Sequence, residues 1–245
     1  MKPLRSNLAS MTTTNASELK TGGITTLIGT SIWIIGLLVH PTPPEATEPF
    51  LRLIAASSHW SQLHYALMIS TVFIVGGMAL LTRSLIGSGA RAIGTLAMWA
   101  FGLGGAVFMV GIMVDGIASK ALADAWSTST PAQQQAMFWG ADAVVQVQNA
   151  MVPVWLSVFL GLAPMLMGIA LWISETFPRW LGTWGIAGGA MCLLSGFGPV
   201  VHYPIPDIVG LTGATAVVTG WLASGVVMLR AASKATAQRA FTADD

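Results

Sequence analysis

Charge is scarce in this sequence, and its scarcity excludes a water-soluble fold. Only 11 Lys and Arg and 10 Asp and Glu occur among 245 residues, which is 9% of the chain. Soluble domains carry about 25% charged residues because their surfaces must be hydrated. Hydrophobic residues make up 54% of the chain, and the mean hydropathy is +0.70. This composition is typical of an integral membrane protein.

Cysteine and net charge are also nearly absent. The single cysteine, Cys192, excludes both a disulfide framework and a zinc cluster held by cysteines. The formal net charge of +1 provides no basic surface for phosphate backbones, so we expect no nucleic-acid partner. The lipid bilayer is the partner that the composition indicates.

The sequence does contain six apolar runs between charged residues, each long enough for a membrane-spanning helix. Such a helix needs about 20 apolar residues, and its backbone must form its hydrogen bonds internally because lipid offers no partners. We therefore predict an all-α membrane protein with a polar tail at 1–20, a six-helix transmembrane domain at 21–230 and a second polar tail at 231–245. The predicted apolar cores of the spans are 22–39, 63–82, 92–117, 146–173, 180–201 and 208–229.

The basic residues are distributed unevenly about these spans. With a cytoplasmic N-terminus, nine of the 11 Lys and Arg lie on the cytoplasmic side, and only Arg52 and Lys120 lie on the other side. The positive-inside rule favours this orientation, which places both termini in the cytoplasm. We expect a multi-pass protein of the cytoplasmic (inner) membrane of a bacterium.

Two short similarities suggest an internal repeat. The segment GMAL at 77–80 precedes RAIGT at 91–95, and the related GIAL at 168–171 precedes RWLGT at 179–183. This pattern predicts that the helix hairpin of spans 2 and 3 is repeated as spans 4 and 5. The alternative is a chance match, since small and apolar residues recur in every membrane protein.

A pair of small residues in span 5 favours close helix packing. Gly185 and Gly189 lie four residues apart, a spacing that lets two helix backbones approach each other. Packing inside the six-helix bundle is the favoured interpretation, and a homodimer interface is the alternative.

The two longer outer connections carry signals for helices. The segment LRLIAASSHW at 51–60 can form a short helix at the membrane interface. Thr130 and Pro131, followed by Gln133, predict a helix start with a capping box. Tryptophans near the predicted membrane boundaries, Trp60 among them, are predicted to be interfacial anchors.

Ionisable side chains are concentrated at the outer ends of the predicted spans. All four histidines lie there, as does Asp115, whose neighbours in span 3 are apolar. Ionisable groups inside a membrane are costly and are therefore functional candidates. We expect Asp115 to face the bundle interior toward His64, Asn149 and His202.

These residues indicate a metal or haem site. Imidazole and carboxylate groups suit zinc or iron, so the predicted metal ligands are His40, His64, Asp115 and His202. Asp115 would act as a ligand or general base, and Asn149 would orient a bound group. Such a divalent metal would serve chemistry on a lipid-soluble small molecule. In the alternative, His64 and His202 bind haem b for electron transfer.

A non-catalytic interpretation of the same residues stays open. Histidine and aspartate at the outer ends of helices meet water, where they cost little free energy. The protein would then be a membrane module for binding a small molecule or quinone, for transport or for sensing. Composition does not distinguish an enzyme from such a module.

Overall fold

A computed structural model describes residues 13–44, 46–199, 201–203 and 205–243, and these residues contain helices and no strand. Two π-helical segments interrupt the long helices. In chain order the elements are α1 Thr13–Val39, α2 Thr47–Ala56, α3 Trp60–Arg83, α4 Ser88–Met113, the first π segment Val114–Ser119, α5 Lys120–Thr128, α6 Pro131–Trp155, the second π segment Leu156–Leu162, α7 Ala163–Ile173, α8 Arg179–Phe197 and α9 Asp207–Ala243.

Among the residues that the structure describes, five helical stretches are long and apolar enough to cross a membrane: Ala16–Val39, Trp60–Arg83, Gly89–Thr128, Pro131–Ile173 and Asp207–Gln238. The fifth predicted span corresponds to α8, which has 19 residues and includes five glycines. This helix is not among the five stretches. The all-helical fold is therefore confirmed and is consistent with a multi-pass membrane protein, while the count of six spans and their topology stay predictions.

Helical structure extends into both segments for which we predicted polar tails. Helix α1 begins at Thr13, and Leu19 is fully buried. Glu18 in the same segment forms an ion pair with Arg83, with Arg83 Nη2 and Glu18 Oε1 2.8 Å apart. Helix α9 continues to Ala243, well past the end of the predicted domain.

The long helices form a closed ring around an aromatic core. Helix α1 packs against α3 and α9, α9 against α8, α8 against α7, α7 against α4, and α4 against α3. Inside the ring, five buried aromatic side chains contact one another with ring centroids 4.7 to 6.4 Å apart. These side chains are Trp33, Phe101, Phe108, Phe159 and Trp221.

The glycine pair of α8 packs inside this ring. A Cβ placed on Gly185 would lie 2.9 Å from the carbonyl oxygen of Pro164, and a Cβ on Gly189 would lie 2.6 Å from that of Gly161. Both glycines therefore allow α8 to approach α7 and the second π segment closely. A homodimer stays a prediction, and this pair is already used within the chain.

One end of the bundle carries a cap, which we define as α2, α5 and residues 131–145 of α6. Helix α6 starts with the predicted capping box, and the Thr130 N–H donates to Gln133 Oε1 at 3.2 Å. The predicted short helix at 51–60 is α2, which lies slightly earlier in the chain. Its buried residues recur on one face, and they join side chains of α3, α5 and α6 in an apolar cluster: Phe50, Leu51, Ile54, Trp60, Ala123, Trp126, Ala141 and Val145.

Candidate metal centre

Three of the four predicted metal ligands lie together beneath the cap. His40 follows the end of α1, His64 lies one turn into α3, and Asp115 lies in the first π segment. One ligand atom from each of the three lies within 4.8 Å of the others. His202 and Asn149 are exposed and do not belong to this group. The structure thus assembles His40, His64 and Asp115 and leaves the other two predicted site residues outside.

His64 is the most buried member of the site, with 1% of its side chain exposed. Its Nδ1 lies 2.7 Å from the carbonyl oxygen of Trp60. Because a carbonyl oxygen only accepts hydrogen bonds, we assign the imidazole proton to Nδ1, which leaves a lone pair on Nε2 of the neutral ring. A backbone carbonyl that fixes one ring nitrogen in this way is the usual support for a metal-ligating histidine.

His40 repeats this arrangement. Its Nδ1 lies 2.8 Å from the carbonyl oxygen of Pro41, so its Nε2 also carries a free lone pair in the neutral form. The ring centroids of His40 and His64 are 5.3 Å apart. Burial lowers the pKa of His40, although the hydrogen bond to Pro41 opposes this effect. The neutral imidazole is the form that binds a metal.

His64 and Asp115 form the tightest contact of the site. His64 Nε2 and Asp115 Oδ2 are 3.1 Å apart, without the alignment of a hydrogen bond. The second carboxylate oxygen, Asp115 Oδ1, is buried and has no partner among the described residues. With Nδ1 of His64 protonated, both facing atoms are acceptors. A proton or a cation is therefore needed to hold them together.

The spacing of the three side chains fits a small metal ion. Bonds of about 2.0–2.2 Å in tetrahedral geometry place neighbouring ligand atoms roughly 3.4 Å apart. The separation of 3.1 Å between His64 and Asp115 is close to that value. Since all ligand atoms of the group lie within 4.8 Å, closing the set around one ion requires movements of roughly 1 Å.

The N-terminal turn of α3 holds the first π segment in place. Trp60 Nε1 donates a hydrogen bond to the carbonyl oxygen of Asp115 at 2.9 Å, and Ser61 Oγ donates to that of Gly116 at 2.7 Å. A π-helical turn changes the backbone hydrogen bonding of a helix, and such turns are frequent at functional sites. These two contacts tie the backbone that carries Asp115 to the helix that carries His64.

Trp60 contacts the candidate site in a way that the sequence prediction missed. We predicted an interfacial anchor, but the side chain is 1% exposed and belongs to the apolar cluster under the cap. Its ring centroid lies 4.8 Å from that of His64 and 5.1 Å from that of His40. The prediction was wrong because the cap folds over this end of α3 and separates Trp60 from the surface.

Gly116 makes the close contact between α3 and the π segment sterically feasible. A Cβ on this residue would lie 2.2 Å from the Cβ of His64 and 2.7 Å from its Cγ. Real side chains do not approach so closely, so any larger residue would displace His64 or the π segment. The Asp-Gly pair inside an apolar span was the available sequence signal for this contact.

The chain belongs to a family described as a domain of unknown function, DUF4386, whose family model matches residues 21–231. No curated protein and no solved structure is similar to this chain. The family description assigns no activity, so function has to be argued from the site.

Proposed function

We propose that this member of the DUF4386 family is a multi-pass membrane protein that binds one divalent transition-metal ion through His40, His64 and Asp115. The observation that carries the proposal is the pair of acceptors formed by the buried His64 Nε2 and by Asp115 Oδ2, at 3.1 Å. Two imidazoles and one carboxylate leave a coordination position open. This ligand set is found in catalytic zinc sites and in non-haem iron sites.

The packing around His64 favours a metal ion over haem b. His64 is fully enclosed between the ring of Trp60 and the backbone of Gly116. A porphyrin needs a wide slot between helices, and this part of the bundle is closely packed. The second histidine that we predicted for haem, His202, is exposed and outside the group.

In the membrane arrangement that we propose, α8 joins the five longer stretches as a sixth span. The excess of Lys and Arg at the end away from the cap supports an orientation with that end and both termini in the cytoplasm. The metal site then lies at the extracytoplasmic boundary of a bacterial inner membrane. This placement suits chemistry on a lipid-soluble small molecule.

A groove beside the site supports that class of substrate. Val39, Leu53 and Leu63 are among the apolar residues that line it, and the lining also includes Pro41 and Trp60, whose carbonyl oxygens lie beside the two histidines. A metal with an open position polarises a bound oxygen atom or activates water, which suits hydrolysis or hydration of a substrate group. The groove would place the apolar part of such a substrate beside the ion.

The competing proposal is that a proton bridges His64 and Asp115. The pair would then be a structural ion pair that ties α3 to the π segment in a non-catalytic membrane module. Solvated positions account for His202 and Asn149 in that case, since both are exposed. They do not account for His64, which is buried.

Metal analysis of the protein purified in mild detergent separates these proposals. We expect about one zinc or iron ion per chain, or one cobalt(II) ion after exchange, because the ligand set supports a single ion. His40→Ala and Asp115→Asn should each lower the bound metal at least tenfold, since each removes a direct ligand. Cobalt(II) should show the intense visible bands of a low-symmetry, four-coordinate site.

Two exposed histidines provide matched controls for that experiment. His59 and His202 lie outside the group, so His59→Ala and His202→Ala should keep the metal content of the unmodified protein. A folded protein that binds no cobalt(II), or one that retains it in both Asp115→Asn and His40→Ala, would contradict the proposal. Either result would favour the proton-bridged pair.

A further inference from the structure

Gln148 on α6 has a buried polar atom that the three-ligand site does not explain. Its amide oxygen, Oε1, is buried and has no partner among the described residues. Its neighbour Asn149 is the residue that we predicted to orient a bound group, but Asn149 is exposed. Consecutive side chains on a helix point about 100° apart, so these two residues face different surroundings. The inward amide of α6 therefore belongs to Gln148.

An aromatic contact fixes the depth of Gln148 in the bundle. The rings of Phe108 on α4 and Trp155 on α6 are in contact, with centroids 5.2 Å apart. The two helices run in opposite directions, so the cap lies toward higher numbers on α4 and toward lower numbers on α6. Seven residues toward the cap lead from Phe108 to Asp115 and from Trp155 to Gln148. Seven residues are about two turns, or 10.5 Å, and return to the same helix face.

A second contact gives the same alignment to within one residue. A Cβ on Gly111 would lie 3.9 Å from Cε of Met151, so these two residues are at one level. Asp115 lies four residues beyond Gly111, and Gln148 lies three residues beyond Met151 in the direction of the cap. The backbones of α6 and the first π segment are also in contact. Gln148 and Asp115 therefore lie at the same depth on facing elements.

The buried atoms without partners at this level share one chemical property. His64 Nε2, Asp115 Oδ1 and Gln148 Oε1 are all acceptors. A metal ion satisfies the first two as ligands, but an amide oxygen on the far side needs a hydrogen-bond donor. A water molecule in the open coordination position of the metal supplies such a donor.

We infer that Gln148 lines the open side of the metal site. Its amide oxygen accepts a hydrogen bond from the water molecule or ligand in the open coordination position. This inference rests on the proposed function, because it requires the metal. It also defines the ligand class, since a ligand that carries an O–H or N–H beside its metal-binding atom is favoured. An anion without a proton gains no hydrogen bond from the amide oxygen of Gln148 and meets the negative end of the amide dipole.

Two small ligands test this selectivity on the full chain loaded with cobalt(II) in detergent. Acetohydroxamic acid carries an N–H and an O–H, whereas azide carries no proton. The affinity of each is measured from the change in the cobalt(II) visible bands. We expect Gln148→Leu to weaken acetohydroxamate about threefold to tenfold, the effect of one lost hydrogen bond. Azide should bind equally well or more tightly.

Asn149→Leu is the matched control, because it changes an exposed amide on the adjacent position of the same helix. It should leave both affinities unchanged. Gln148→Glu keeps an acceptor oxygen at the same place, so it should bind acetohydroxamate about as well as the unmodified protein does. It should bind azide more weakly than the unmodified protein, because the carboxylate repels an anion. If Gln148→Leu does not fold, Gln148→Met removes the acceptor with an unbranched side chain of similar length and takes its place.

The ratio of the two affinities decides the outcome. If the Leu variants at 148 and 149 give the same ratio as the unmodified protein while cobalt(II) is bound, the role of Gln148 is overturned and the metal site stands. If the unmodified protein binds no cobalt(II), the proposed function fails as well. A loss of acetohydroxamate selectivity in Gln148→Leu alone supports the inference.

Discussion

The two π-helical segments differ in what surrounds the same kind of backbone irregularity. In Val114–Ser119, side chains of Trp60 and Ser61 donate to backbone carbonyls, and Asp115 projects toward two histidines. Leu156–Leu162 contains only apolar residues, glycine and one serine, and lies against the helices of the ring. The first segment positions a polar site, whereas the second serves packing.

The second segment shows that π geometry alone does not indicate a functional site. It lies between Pro153 and Pro164, which cannot donate backbone hydrogen bonds, and this loss accounts for irregular hydrogen bonding there. Phe159 is fully buried in the aromatic core, and Gly161 lies against the backbone of α8. The first segment differs in that buried acceptor atoms of two ionisable side chains, His64 and Asp115, lie there without partners among the described residues.

Substituting one glycine in each segment should give the largest difference between them. In Gly116→Ala the new Cβ would collide with His64, and in Gly161→Ala it would lie 2.8 Å from the backbone nitrogen of Leu193. Both variants should lose about 1–3 kcal/mol in the free energy of unfolding because both are overpacked. Only Gly116→Ala should also weaken metal binding, by about 10–100-fold, because it displaces a ligand.

Thermal unfolding in detergent and cobalt(II) titration measure these two effects separately. Equal metal affinities in both glycine variants would contradict the proposal that only the first π segment positions the metal site. A loss of metal affinity in Gly161→Ala would show that the apolar segment also controls the site.

Two of the buried tryptophans, Trp60 and Trp221, offer a second comparison, with a smaller expected effect. Trp60 Nε1 donates to Asp115, whereas Trp221 Nε1 in the aromatic core has no partner among the described residues. Trp60→Phe and Trp221→Phe remove similar ring volume, but only the first leaves a carbonyl without its donor. We expect Trp60→Phe to be the more destabilising by about 1 kcal/mol and to weaken metal binding severalfold. Equal losses of stability and unchanged metal affinity would contradict the proposed support by Trp60.

The smallest expected effect is a difference in how the stability of the metal-free protein depends on pH, compared between the unmodified protein and His40→Asn. Burial lowers the pKa of His40 in the folded state below its ordinary value of 6.5. Between pH 6.5 and the lowered pKa, the unfolded state binds more protons, so stability falls as the pH falls through this window. His40→Asn should remove the part of this pH dependence that comes from the imidazole. The variant should therefore lose less stability than the unmodified protein between about pH 7 and about pH 5. Parallel thermal unfolding curves for the two proteins would contradict the assignment.

Sequence reasoning predicted the helical membrane class and part of the site because both depend on local patterns. Scarce charges and long apolar runs predict spans, and Asp115 is conspicuous inside one of them. Asn149, which we predicted to orient a bound group, is exposed, whereas the neighbouring Gln148 has a buried amide oxygen, since one residue rotates a side chain by about 100°. The inward face of α6 is set by its packing against α4 and the first π segment, and these tertiary contacts cannot be read from the sequence.

The other differences come from tertiary contacts and loop conformation. Trp60 is buried because the cap covers it, and the cap is assembled from α2, α5 and α6, which are separate in sequence. His202 lies in a short connection with a left-handed backbone conformation, at a φ of 53°. No pattern in the sequence gives the direction of a side chain in such a connection.

The most direct test of the account is the metal content of the purified protein and of its Asp115→Asn variant, measured side by side with His202→Ala. The account predicts about one transition-metal ion per chain in the unmodified protein and in His202→Ala, and little or none in Asp115→Asn. A folded protein free of metal, or equal metal in all three proteins, would contradict a metal site at His40, His64 and Asp115.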